Sequence, residues 1–252
     1  GAANRLVTYF YTYLGRTREL SVTLSLTAAA ALATIAALPR HALPVPAMLP
    51  ASNVANTAAD PAPPLPTDRM PEAEVALRLA FHLLDQPGSG GHAEVAVDGA
   101  MVRVAGRDIF PLAAFLAATG WQLTERSPNA GNAWQGRYRR GHHALTVHAR
   151  SGVGDVVARV GTRRIHAECK GGPLVLRKGS PEYPILQTAI GQAVTIEAVA
   201  LEDLIVVAVP ATSRFATLRD RWKDRPLFAA TGVRIVLVGR DGRVDGLEDL
   251  AP

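Results

Sequence analysis

The clearest pattern in the chain is an alternation of apolar and polar positions on either side of Gly161-Thr162. Before it runs Asp155-Val156-Val157-Ala158-Arg159-Val160; after it runs Arg163-Arg164-Ile165-His166-Ala167-Glu168-Cys169-Lys170. A period of two predicts strands, and a two-residue loop opened by glycine predicts a tight hairpin between them. Pairing outward from the loop sets Val160 against Arg163, Arg159 against Arg164 and Val157 against His166. Two further steps set Asp155 against Glu168. One face of the hairpin then carries Val156, Ala158, Val160, Arg163, Ile165, Ala167 and Cys169, is nearly all apolar and belongs on a core. The other carries Asp155, Val157, Arg159, Arg164, His166, Glu168 and Lys170.

The same reading continues in both directions. Glu72 to Leu84 has the spacing of an amphipathic helix, stopped by Pro87-Gly88-Ser89-Gly90-Gly91. Ala93–Val97 and Ala100–Val104 flank Asp98-Gly99 and predict a second hairpin. A helix at about Pro111–Thr119 and strands at Trp121–Thr124 and about Leu145–Arg150 follow. Beyond Gly171-Gly172-Pro173 come a helix at about Pro184–Val199 and a strand at Leu204–Val209. A helix near Phe215–Trp222 and a strand at Val233–Val238 complete the pattern. Antiparallel strands giving way to strand-helix-strand units predict an α/β fold, a mixed sheet with helices on its faces.

Four segments are expected. Residues 1–38 contain an uncharged, largely apolar run over 20–38, long enough to span a bilayer. They are read as a membrane or signal segment or as an artefactual extension. Residues 39–71 are rich in proline and alanine and read as a linker, with Met70 as a plausible start of the folded part. Residues 72–109 read as a small helix-and-hairpin addition, able to meet a partner protein, and 110–252 as the core. The location expected is cytoplasmic, or membrane-anchored or exported if 20–38 is an anchor or signal.

Composition narrows the chemistry. Hydrophobic residues make up 48% of 252, enough for a real core. A net charge of +5 is compatible with a nucleic-acid partner without establishing one. Arg137, Arg139 and Arg140 form a run that no acid interrupts, and are the first candidates for phosphate contacts, with Lys178 beside them. Arg214, Arg219, Arg221, Lys223 and Arg225 alternate with Asp220 and Asp224 and read as a solvated helix face. The single cysteine excludes an internal disulfide and has no zinc-type spacing with the histidines. There is no Gly-rich phosphate loop and no Gly-x-Ser-x-Gly.

The polar face of the hairpin carries the strongest chemical signal. Opposed like charges repel, so Asp155 and Glu168 call for a proton or a cation between them. Two carboxylates with the backbone carbonyl of Cys169 form a hard-oxygen set suited to Mg²⁺, with Mn²⁺ as a substitute. Lys170 projects from the same face. Asp155 followed by Glu168-Cys169-Lys170 resembles the signature of the PD-(D/E)XK nuclease superfamily, the restriction-endonuclease-like fold: an Asp opening one strand, then Glu-x-Lys on the next. Where a proline often precedes the Asp, this chain has Gly154. Ala189-Ile190-Gly191-Gln192 is similar to the family's Ala-x-Gly-Gln on the following helix. Some branches add a Tyr four residues after that Gln, where this chain has Ile196. Many members also place a Glu on an earlier helix; the nearest upstream helix, Pro111–Thr119, has no acid, and no such ligand is carried over.

The resemblance covers roughly residues 110–245. It implies a Mg²⁺-dependent nuclease acting on DNA, with RNA as the other substrate. Asp155, Glu168 and the Cys169 carbonyl would hold the metal, Lys170 would act on the water, and Gln192 would support the site. Two alternatives stand beside it. One is a non-catalytic nucleic-acid-binding or assembly module of the same fold. The other is an ordinary hairpin whose Glu168 and Lys170 form surface ion pairs.

Overall fold

A computed structural model describes residues 5–13, 16–24 and 64–250, apart from 100, 101, 105, 106, 129, 151, 177, 180, 198 and 201. It divides into two units, within 1–57 and 58–252. In the first, strands β1 (Arg5–Tyr13) and β2 (Arg16–Leu24) form an antiparallel hairpin. Leu20 to Leu24, the start of the apolar run, are therefore strand; the rest of that run and linker residues 39–63 lie outside the described residues. Among the described residues, no helix is long and apolar enough to cross a membrane.

The second unit is built on a mixed sheet. Its elements begin with β3 (Arg69–Met70), α1 (Glu72–Leu84) and β4 (Ser89–Ala96). Then come β5 (Arg103–Val104), β6 (Arg107–Asp108) and α2 (Leu112–Ala118). β7 (Gln122–Arg126), β8 (Gly136–Arg140) and β9 (His143–His148) precede the hairpin β10 (Val156–Val160) and β11 (Arg163–Cys169). The chain continues through β12 (Gly172–Pro173), α3 (Glu182–Ala193), β13 (Leu204–Pro210) and α4 (Ser213–Trp222). It ends with α5 (Pro226–Ala230), β14 (Arg234–Val238), β15 (Val244–Asp245) and a 3₁₀ turn at Glu248–Leu250. Nine strands run in the order β15-β14-β13-β11-β10-β4-β9-β8-β7. β4, β10 and β11 form an antiparallel meander in space; β13 joins β11 in parallel, as a strand reached through helix α3 must.

The hairpin register is the one the alternation predicts, with Val160 paired to Arg163, Arg159 to Arg164 and Val157 to His166. Gly161 supplies the turn with φ 58°. Strand alternation splits the sheet's side chains between two cores. Val95, Val156, Ile165, Ala167, Cys169, Val206 and Val236 pack with α1 on one face. Val207, Val209, Ile235 and Leu237 pack with Leu186, Ala189 and Phe215 of α3 and α4 on the other.

Three expectations are corrected. Asp98-Gly99 does not close a hairpin: β4 is already paired to β10 and β9, and the short hairpin beyond it is β5 with β6. An alternating segment records only that one face is buried, not which strand lies beside it. Second, residues 72–109 are not an addition to the core. β4 sits in mid-sheet, and α1 packs on the sheet while its Phe81 stacks on Phe115 and Trp121. Third, the proline-rich linker ends before residue 71. Leu65 packs on the core, β3 pairs with β12, and Met70 is wholly buried.

Candidate active site

Asp155 stands one residue before β10, and its backbone is fixed on both sides. Its N–H donates to the Ala167 carbonyl at 2.7 Å, and its own carbonyl accepts from the Ala96 N–H at 2.8 Å. Gly154 before it has φ 94°, and a Cβ there would lie 3.0 Å from the Ala167 oxygen. A proline, locked near −65°, has no access to this conformation, which accounts for glycine at that position. The Asp155 carboxylate turns toward β11, where Oδ2 accepts the Cys169 N–H at 2.8 Å.

Glu168 and Lys170 project from β11 and from the residue just past it. Lys170 Nζ donates to Glu168 Oε1 at 2.7 Å and lies 3.5 Å from Glu72 Oε2. Glu72 is the first residue of α1. It reaches Lys170 because the chain after β11 runs tight against the start of that helix. A Cβ on Gly171 would sit 2.7 Å from the Glu72 nitrogen and from the Met70 oxygen. Asp155, Glu168, Lys170 and Glu72 line one cleft of about 350 Å³, with Asp98 from the segment after β4. Gln192, Thr195 and Ile196 close it from the end of α3. The sequence-predicted set of Asp155, Glu168, Lys170 and Gln192 is thus brought together.

Cys169 plays a different part. Its side chain is fully buried in the α1 core, and burial pushes the thiol well above its usual pKa, so it is a neutral thiol. The parallel ladder to β13 uses the Lys170 N–H, which donates to Ala208. In an extended strand a residue's own N–H and C=O point to one side. The Cys169 carbonyl therefore shares the β10 side with the N–H that holds Asp155.

The electrostatics follow from crowding acids in a half-closed cleft. Burial, then the charge of Glu168, raise the Asp155 pKa from 3.8 to about 7, against the lowering effect of the Cys169 N–H. Burial likewise raises Glu72, opposed by Lys170. For Lys170, burial acts downward but is outweighed by the bond to Glu168 and the charges of Glu72, Glu168 and Asp155. Its net shift is upward, and it stays an ammonium. Among the described residues, no three His, Cys, Asp or Glu side chains already stand close enough to hold a metal ion. The donor set nonetheless fits a hard divalent cation: carboxylate oxygens in excess, one of them reluctant to ionise, and no soft ligand in the cleft.

Other predicted residues lie elsewhere. His166 is buried, its Nδ1 3.0 Å from the Val153 carbonyl and its Nε2 3.3 Å from Asp203 without hydrogen-bond alignment. It anchors the loop leading to Asp155. Arg137 and Arg139 are exposed on β8. Arg140 makes a two-pronged bond to Asp85 at 2.8 and 3.1 Å and stacks over Phe81 and Trp121. Its expected role in phosphate contact gives way to a structural one, because its guanidinium is already engaged on both edge and face. Lys178 is exposed in the loop before α3; its neighbour Arg177 lies outside the described residues.

Glu72 and Asp98 were not in the sequence-derived set. The signal for Glu72 was available: an acid opening a helix that leads into a strand of the sheet. Residues 97–155 intervene between β4 and β10, so in sequence Pro111–Thr119, not α1, is the helix next to the hairpin. Comparison of the chain with protein-family models, with characterised proteins and with solved structures finds no match.

Proposed function

We propose that the chain is a Mg²⁺-dependent nuclease that hydrolyses phosphodiester bonds in DNA, built on a restriction-endonuclease-like variant of the mixed sheet. The observation that carries this reading is the meeting of Asp155, Glu168, Lys170 and Gln192, from two strands and a helix, in one acidic cleft. The order helix α1, meander β4-β10-β11, helix α3 and parallel strand β13 supports the fold assignment.

Asp155 and Glu168 would hold the cation, with the carbonyl of Cys169 on the same edge and Glu72 as a further carboxylate. When bound, Mg²⁺ supplies Lewis-acid polarisation of the phosphate and lowers the pKa of a water. The rest falls to the chain. Cys169 N–H fixes the Asp155 carboxylate before any ligand arrives. Lys170 remains charged, so it orients the attacking water or a phosphate oxygen and stabilises developing negative charge; it does not take a proton. Gln192 is exposed at the cleft mouth, placed to hold water or phosphate.

A purely structural Glu168–Lys170 pair explains less. It gives no reason to keep Asp155 buried beside a second carboxylate, at a cost that an apolar residue would avoid. The test is nicking of supercoiled plasmid with and without Mg²⁺. Cleavage that needs Mg²⁺ and disappears in Asp155→Asn and Glu168→Gln is expected; cleavage indifferent to both substitutions would remove the reading.

A further inference from the structure

Beside the cleft, the same face of the sheet carries arginines that make no ion pair among the described residues. The core row Tyr138-Leu145-Ala93-Ala158-Ile165 crosses five adjacent strands, β8 to β11 by way of β9, β4 and β10. Side chains one position along point to the opposite face. That puts Arg139, Ala144 and His92 in one row and, across a register shift between Ala158 and Val160 where β10 meets β4, the opposed Arg159 and Arg164 beside it, on the face that also bears Glu168. Arg159 passes beside Gly90, where a Cβ would lie 3.4 Å from its own.

Arg159 and Arg164 are directly opposed across the hairpin. Like charges in that position repel. Both are exposed, as are Arg139 and Arg137. Among the described residues, no carboxylate lies within ion-pair distance of Arg139, Arg159 or Arg164. Besides Glu168, which pairs with Lys170, two acids close to the row are engaged: Glu125 stands 3.9 Å from Arg137, and Glu94 stands 3.7 Å from His148. An opposed, solvated arginine pair is easily explained by an anion bound across it.

We propose that this open sheet face docks the phosphate backbone of duplex DNA through Arg139, Arg159 and Arg164, with Arg137 at its margin. The proposal rests on the nuclease reading and names the surface that presents substrate to that site. Four interstrand steps of roughly 4.8 Å make the row about 19 Å wide, enough to meet several phosphates. Arg164 lies four residues from Glu168, about 13 Å along the strand, so a backbone held on the row continues toward the cleft. The same strands offer no exposed Phe, Tyr or Trp for base stacking; Tyr138 is buried. That favours a duplex, recognised through its backbone, over an unstacked single strand.

The test is binding of a labelled duplex to the full chain in EDTA, measured across a salt series. The triple variant Arg139→Gln, Arg159→Gln, Arg164→Gln should lower the slope of log K against log salt by about 2.7, or about 0.9 per lost contact. Arg139→Gln alone should lower it by about 0.9 and serves if the triple variant does not fold. Arg214→Gln with Arg221→Gln, on α4, should leave it unchanged. A triple variant with the wild-type slope overturns the docking face. So does a wild-type chain that binds only single strands. The nuclease reading is scored separately, by Mg²⁺-dependent nicking with the wild type: nicking with an unchanged triple-variant slope removes only the face, and full binding without nicking removes only the reaction.

Discussion

The carboxylate of Asp155 accepts a hydrogen bond from the backbone N–H of Cys169 at 2.8 Å. This links the residue before one strand to the middle of the Glu-x-Lys segment on the next. The bond favours the ionised form, yet burial and Glu168 win, and the group titrates near 7. Asp155 is thus oriented as a ligand while resisting its own charge. A cation in the cleft would relieve that conflict.

Asp155→Asn should therefore stabilise the metal-free protein at high pH. The folded pKa lies above the ordinary 3.8. Between these values the folded state binds more protons than the unfolded, so stability falls as pH rises from about 4 to about 7. The Asn variant keeps an oxygen to accept from Cys169 but loses this slope. A shift of about 3 units sets an upper bound of about 4 kcal/mol on the gain at pH 8, shrinking to near zero at pH 4. Thermal melts at both pH values in EDTA check it. A variant less stable than wild type at pH 8 would mark Asp155 as a structural ion-pair residue.

Adding Mg²⁺ should raise the melting temperature of the wild type at pH 8, since a ligand of the folded state stabilises by mass action, about 2.7 kcal/mol at a hundredfold excess over Kd. Glu168→Gln and Asp155→Asn should each abolish most of that shift. The shift should also weaken toward pH 5, where protons compete for Asp155. An equal Mg²⁺ response in all three proteins would place the cation elsewhere.

The polar side of this site was legible and its neighbours were not. The register of Val157 with His166 follows from a two-residue loop and a period of two, both local. Placing Gln192 needed only the next helix. Glu72 is different: 82 residues, 73–154, separate it from Asp155, and β4 to β9 lie between them, so their meeting is a long-range fact that periodicity does not carry. The Asp98-Gly99 turn failed for the same reason, because β4 found its partners in β9 and β10 and not in the segment that follows it. Arg140 shows a second limit. A run of three arginines looks uniform in sequence, but strand alternation and Asp85 give its last member a separate role.

Lys170→Ala should reduce cleavage by roughly 10²–10³, the usual loss when one donor to developing charge is removed. Mg²⁺ binding should survive because the carboxylates remain. Since Lys170 now pairs with Glu168 and lies near Glu72, its loss should also raise their mutual repulsion and deepen the fall in stability at high pH. Lys170→Arg restores the charge without the same reach and separates the two effects. It should recover stability more than cleavage. Cleavage at the wild-type rate in the alanine variant would end the Glu-x-Lys reading.

The boundary of the folded part can be tested by truncation. A chain starting at residue 64 retains every described contact of the second unit in this region. Leu65 packs on the core, the Asp68 carbonyl accepts from Leu174 N–H at 2.9 Å, and the Arg69 carbonyl accepts from Arg240 at 2.9 Å. Arg240 in turn joins Arg78 on the buried Glu74 of α1, so this bond steadies the helix that presents Glu72. Starting at Met70 removes both hydrogen bonds and the Leu65 contact, and sets a new ammonium two residues from Glu72. Two bonds at about 1 kcal/mol each and one half-buried leucine amount to a loss of about 2–4 kcal/mol. The longer chain should melt as the second unit of the full protein does and keep its cleavage. The Met70 chain should melt several degrees lower. Equal melting temperatures for the two would show that β3 contributes nothing to the fold, and an inactive but fully folded longer chain would assign residues 1–63 a part in the reaction.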